Sequence, residues 1–145
     1  MPSGVAEDAD FYYRLRKDGG RVLVIPAIRS IYRPRETPSA LWRQFYRYGL
    51  GKADMLYING EFPSWRPLAP MALVVGLIAF LVVGLVTGWW LPLVALVVLW
   101  LLVVLVAAGG SPLGVAAIAI MHSAYGIGLI RGLLRFPATV RAGVG

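Results

Sequence analysis

Glu7-Asp8-Ala9-Asp10 puts three carboxylates within four residues, at the head of a stretch with helical spacing. Carboxylates clustered in this way can take a proton as a general base or hold a cation. They equally suit the positive end of a helix dipole. A second group, Gln44-Phe45-Tyr46-Arg47-Tyr48, sets an amide, a guanidinium and a phenol at positions i, i+3 and i+4, on one helix face. Gln44, Arg47 and Tyr48 can hold a pyrophosphate and stack on a sugar or base. The same pattern also describes the solvated face of an amphipathic helix. On spacing alone the plainer reading prevails for both groups.

The basic run Arg29, Arg33, Arg35, Arg43, Arg47 and Lys52 suits phosphate groups or lipid headgroups. For most of it the expectation is contact with a membrane surface, Arg47 being set apart by its neighbours. His122 lies in an apolar segment three residues before Tyr125 and is the chain's one histidine. Without a second His or a Cys it has no metal-ligand companion, so a neutral imidazole bonded to a neighbouring helix is expected. Ala124, Gly128 and Gly132 form a stripe of small residues suited to close helix packing. There is no P-loop, no GxGxxG, no GxSxG elbow and no zinc pattern. Asp8 and Asp10 have D-x-D spacing, but Glu7 precedes them and a helix follows, so they are not read as a nucleotide–metal site.

The elements that must position these groups follow from pattern. Glu7 to Lys17 reads as a helix, with Phe11, Tyr12 and Leu15 at helical spacing and Gly19-Gly20 as its stop. Arg21 to Ile25 reads as a short strand closed by Pro26, with a second extended piece over Ala27 to Tyr32. Thr37 is an N-cap, with Pro38 opening a helix that runs to about Tyr48, or on to Tyr57 past a weak point at Gly49 and Gly51. Residues 59–67 are a breaker-rich interfacial link ending in Trp65 and Arg66.

The rest is apolar. Of 145 residues, 59% are hydrophobic and mean hydropathy is +0.72, above the roughly 45–50% of an ordinary soluble domain. No charged residue lies between Arg66 and Arg131, a pattern that points to membrane. Apolar segments at about 68–87, 91–108 and 113–130 are candidate spans, two of them clear and the third in conflict with the positive-inside rule. Three full spans would separate Arg131, Arg135 and Arg141 from the basic part before residue 67. Two spans plus a re-entrant or surface helix would not. With no secretory signal at its start, residues 1–66 are expected in the cytoplasm and the chain in the inner membrane, multi-pass. The net charge of +7 comes from blocks that adjoin apolar spans. Anionic lipid is therefore the expected partner, and nucleic acid is not.

In order, Glu7-Asp8-Ala9-Asp10-Phe11, Arg14-Leu15-Arg16, Gly19-Gly20, a short strand, Tyr32-Arg33-Pro34-Arg35 and Gln44-Phe45-Tyr46-Arg47-Tyr48-Gly49 resemble the last part of a family 2 glycosyltransferase. The similarity is to the membrane-bound enzymes of succinoglycan and related exopolysaccharide assembly. It extends through His122-Ser123-Ala124-Tyr125-Gly126-Ile127-Gly128. The resemblance implies the end of a GT-A α/β domain over residues 1–58 (helix, short strand, amphipathic helix). The link at 59–67, a transmembrane region of two to three helices at 68–131 and a basic tail at 132–145 complete the expected α-rich membrane fragment.

It also implies roles. Asp8 matches the catalytic base of an inverting transfer, and Glu7 belongs to the same motif. Gln44, Arg47 and Tyr48 match the Q-x-x-R-W motif near donor diphosphate and acceptor, with Tyr48 in place of the Trp. A nucleotide-sugar donor, a lipid-linked or glycan acceptor and a divalent cation (Mg or Mn) are implied for the complete enzyme. The nucleotide-binding strands and D-x-D site would precede Glu7, and the metal-shell His found in many relatives near Tyr32 is absent, so this chain carries no complete metal site. It reads as a C-terminal portion, inactive alone. The alternative is a non-enzymatic small membrane protein or the anchor subunit of a split glycosyltransferase.

Overall fold

The computed structural model describes residues 7–23, 25, 27, 29–31, 35–60 and 65–142, without the side chains of 136–142. It has five helices in the described residues: α1 (Glu7–Lys17), α2 (Pro38–Asn59), α3 (Leu68–Thr87), α4 (Leu91–Ala107) and α5 (Pro112–Ala142).

The ends of these helices follow local chemistry. In α1, Glu7, Asp8 and Asp10 occupy the first turn and Arg14, Arg16 and Lys17 the last, matching the helix dipole at both ends. Gly19 takes a left-handed φ of 81°. The Gly20 N–H then reaches the Leu15 carbonyl at 2.8 Å and the Gly19 N–H reaches Arg16 at 3.2 Å, a Schellman close. Thr37 caps α2 by accepting the Ala40 N–H at 3.2 Å, with Pro38 next to it. Ser111 does the same for α5 through the Gly114 N–H.

The expected strand at Arg21–Ile25 is not formed. Arg21, Val22, Leu23 and Ile25 are irregular and exposed, and no strand occurs among the described residues. The physical reason is the lack of a pairing edge: a lone strand leaves its backbone groups to water and has no independent stability. Val24 and Pro26 lie outside the described residues, as do most of Tyr32-Arg33-Pro34-Arg35, part of the 59–67 link and the last three residues of the tail.

Gly49 and Gly51 do not end α2, which runs unbroken to Asn59. The cause is tertiary. The largest interface in the molecule is α2 against α5, and there the two backbones nearly touch. A side-chain carbon on Gly49 would run into the Tyr125 carbonyl and the Leu129 amide. One on Gly128 would run into the Tyr46 carbonyl, and one on Gly132 into Ala53. The small-residue stripe on α5 thus receives α2. Ala53, Ala124 and Leu129 are fully buried along this seam.

The third apolar helix, expected over 113–130, continues through Arg131 and Arg135 to Ala142. Its interior contains Pro137, which has no N–H to bond the Leu133 carbonyl four residues back. The Tyr57 hydroxyl supplies the missing donor at 2.8 Å. Tyr57→Phe should therefore leave that carbonyl without this donor and cost about 1–2 kcal/mol. Denaturant unfolding of the two proteins in the same micelles checks this, and equal midpoints would contradict it.

α3 and α4 form a hairpin turned at Gly88-Trp89-Trp90, with Gly88 at φ 73°. Gly84 packs under the Trp90 ring and Gly76 against Leu96. Trp100 of α4 donates its indole N–H to His122 Nδ1 at 3.2 Å, the neutral interhelical histidine expected from the sequence. Gly126 of α5 lies on the Pro70 carbonyl and Val74. The second half of α5 is therefore at the Trp65–Arg66 end of α3. Two helices, α3 and the Pro112–Arg135 part of α5, are long and apolar enough to cross a membrane, and α4 is apolar over 17 residues.

Candidate functional site

At 100° per residue, Gln44, Tyr48, Lys52, Met55 and Asn59 fall within about 80° of arc on α2. Tyr46, Gly49, Leu50, Ala53 and Tyr57 fall on the opposite side, which is the side pressed on α5. The α2 sequence is therefore two-faced, and packing on α5 turns the first face outward, towards α1.

On that outward face the Gln44 amide donates to the Tyr48 hydroxyl at 2.8 Å, as i, i+4 spacing allows. The Phe45 ring meets Tyr48 edge-on, centroids 5.5 Å apart, which fixes the Tyr48 plane. Arg47 stands exposed beside them, with no ion-pair partner among the described residues. An exposed guanidinium beside an oriented amide–phenol pair is equipped to receive an oxyanion.

α1 is attached at the other end of the same face. Asp10 is nearly buried, at 6% exposure. It accepts the Asn59 side-chain N–H at 2.8 Å and pairs with Arg14 at 3.0 Å. Asn59 also donates to the Met55 carbonyl at 3.0 Å, so it ties α1 to the last turn of α2. Asp10 is thus a structural acid. Glu7 and Asp8 remain exposed, and the Asp8 carboxylate accepts the Ala9 N–H at 2.8 Å.

Lys52 is the cation that Asp8 feels. Partial burial pushes the Lys52 ammonium below its ordinary range, and the Asp8 carboxylate pulls it partway back. By sequence alone Lys52 belongs with the surface cations. The fold instead puts it on the inner wall between α1 and α2, one helical turn from Tyr48. In the sequence Asn59 opens the breaker-rich link and Tyr57 stands at a helix end, and neither carries a local signal of its contact. The helical period from Gln44 was the one clue to Lys52.

The fit to a divalent cation is poor. No group of three His, Cys, Asp or Glu occurs among the described residues. Of the three clustered acids, Asp10 already spends its oxygens on Asn59 and Arg14. No step of the chemistry is assigned to a metal here.

The chain belongs to the glycosyl transferase family group 2, which it matches over residues 1–122. Among curated proteins it is similar to succinoglycan biosynthesis protein ExoA of Rhizobium meliloti (strain 1021), with 32% identity over 139 residues. That match covers 90% of this chain and 41% of the relative, so the chain spans about two fifths of that protein's length. No solved structure matches.

Proposed function

We propose that this chain is the acceptor-side and membrane-anchoring part of an inverting glycosyltransferase. The complete enzyme would move a sugar from a nucleotide-sugar to a lipid-linked or polysaccharide acceptor at the cytosolic membrane face. The observation that carries the reading is the attachment of α1, through Asp10 and Asn59, at one end of the α2 face that bears Gln44, Tyr48 and Lys52, with Asp8 near enough to act on the Lys52 charge. In one displacement, Asp8 takes the proton from an acceptor hydroxyl as its oxygen bonds the anomeric carbon. The bond to the donor diphosphate breaks on the opposite side. Arg47 meets the charge that develops on the diphosphate, and a fixed guanidinium stabilises that state more than the ground state. Gln44 and Tyr48 orient donor and acceptor, and Glu7 keeps the local field negative. Replacement of Asp8 by Asn in the complete enzyme, assayed for sugar transfer, tests the reading.

The membrane arrangement we propose is an α3–α4 hairpin that spans, with α5 and α2 at the end where the hairpin starts. Arg43, Arg47 and Lys52 ride on α2, and each charge costs about 2.5–3.5 kcal/mol at a bilayer centre. α2 must therefore lie at a polar level, and it grips α5 between Tyr125 and Leu133. That half of α5 is held at the same level, beside Pro70 in the first turn of α3. Arg131 and Arg135 then share a side with Arg66, as the positive-inside rule asks. The chain has no cysteine, so single substitutions report cleanly. With a membrane-impermeant maleimide, Trp89→Cys should label in intact cells. Ser39→Cys and Arg135→Cys should label only after permeabilisation. Labelling of Arg135→Cys in intact cells would establish a third span.

A further inference from the structure

Between α1 and α2 lies an open groove of about 530 Å³, lined by Ala9, Tyr12, Tyr13, Arg16, Lys17, Lys52 and Met55. That volume falls in the range of small-molecule sites, about 300–1,000 Å³. Among the described residues its lining holds three cations and no carboxylate. Of the described acids beside the lining, Asp10 is engaged with Arg14 and Asn59, Asp8 adjoins Ala9 and Asp18 adjoins Lys17. Lys52 is half-buried, and its hydrogen-bond partner among the described residues is the Met55 sulfur at 3.4 Å. A thioether is a weak acceptor, so among the described residues this bond uses little of the ammonium's capacity. Lys17 is set over the Tyr13 ring at 5.8 Å, and Tyr12 presents half of its surface to solvent at the groove wall.

We infer that this groove binds the phosphate or diphosphate group of the acceptor, with Arg16 and Lys52 as its principal ligands. The height of the groove favours a lipid-borne group. It opens on the face of α2 opposite the one packed on α5, so the width of α2, about 10–12 Å with side chains, separates it from α5. A lipid phosphate emerges from a bilayer at that level. Tyr12 then offers a flat apolar face to the first sugar, and Asp8 stands at the groove edge, where that sugar's hydroxyl would arrive. The assignment deepens the transferase reading and rests on it for the identity of the occupant. The anion site itself is measurable without donor or turnover.

The test is calorimetric titration of the full chain in zwitterionic nanodiscs with inorganic pyrophosphate and, separately, with farnesyl diphosphate. Lys52→Met and Arg16→Gln should each weaken binding of both probes at least tenfold, while Arg43→Gln, outside the groove, should leave it within twofold. Asp8→Asn removes a competing charge beside Lys52 and should tighten binding severalfold, a gain that misfolding cannot produce. Tenfold tighter binding of farnesyl diphosphate than of pyrophosphate confirms the lipid-borne source. Equal affinities support the anion site and overturn its lipid assignment in favour of a free or nucleotide-borne diphosphate. No binding by the unaltered chain, or equal losses in Arg43→Gln and the groove variants, overturns the site. Retained turnover in Asp8→Asn with the groove effects intact would remove the base assignment and leave the anion site standing.

Discussion

Asp8→Asn in the complete enzyme should lower sugar transfer by about 10³-fold, within the 10²–10⁴ that a positioned general base contributes. The substitution keeps the size and the acceptor oxygen that faces the Ala9 N–H. It removes the ability to take a proton. Asp8 is exposed and its hydrogen bond is to the neighbouring Ala9 N–H, so the loss should come without a loss of folding or of membrane insertion. Asp10→Asn provides the contrast. Asp10 is nearly buried between Asn59 and Arg14, so its replacement should loosen α1 from α2 and lower stability as well as rate. Radiolabelled transfer and membrane fractionation on the same samples separate the two. Activity of Asp8→Asn within a few-fold of the unaltered enzyme would end the assignment of Asp8 as base.

The second large effect is expected at Gly49. In an isolated helix Gly→Ala is stabilising by roughly 0.5–1 kcal/mol, because glycine loses the most backbone freedom on folding. Here the sign should reverse. The added methyl would meet the Tyr125 carbonyl and the Leu129 amide of α5. Both are backbone and cannot swing aside, so the helices must part along the whole seam. Overpacking of this kind costs about 1–3 kcal/mol, and the upper part of that range is expected because no flexible side chain is available to yield. Gly76→Ala is the control. Its new methyl would lie 3.2 Å from a terminal carbon of Leu96, a group that can rotate, so near-neutral stability is expected. Gly49→Ala should also reduce transfer by about 10²-fold, because Gln44, Arg47 and Tyr48 ride on the displaced helix and such sites tolerate little misplacement. Midpoints of unfolding in mixed micelles decide the matter. A Gly49→Ala chain as stable as the parent would contradict the packing of α2 on α5.

Helix limits were legible wherever the signal is local. The acids and bases of α1, Gly19-Gly20 after it, the Thr37-Pro38 start of α2 and the 20 apolar residues of α3 each act on their own turn of backbone. The pairing of Gln44 with Tyr48 was legible for the same reason, since both lie on one helix four residues apart. The strand at Arg21–Ile25 was misread because a strand is a relation between two segments, and its β-rich composition carries no information on whether an edge is present.

By itself, then, the sequence determined the apolar character of the second half, the N-terminal helix and its acidic head, the face that joins Gln44 to Tyr48, and membership of a glycosyltransferase family. Tertiary structure alone decided how these parts meet. It turned Gly49 from an apparent break into the point of closest helix approach. It met the carbonyl freed by Pro137 with Tyr57, and it drew Asp10 away from chemistry by bonding it to Asn59. It moved Lys52 from a presumed surface role to the wall beside Asp8. In each case the partner lies far off in the chain, 49 residues for Asp10 and Asn59 and 76 for Tyr57 and Leu133. A residue's type sets which bonds it can make. The fold decides which of them a buried or half-buried group must make, because a polar group removed from water is costly until it finds a partner.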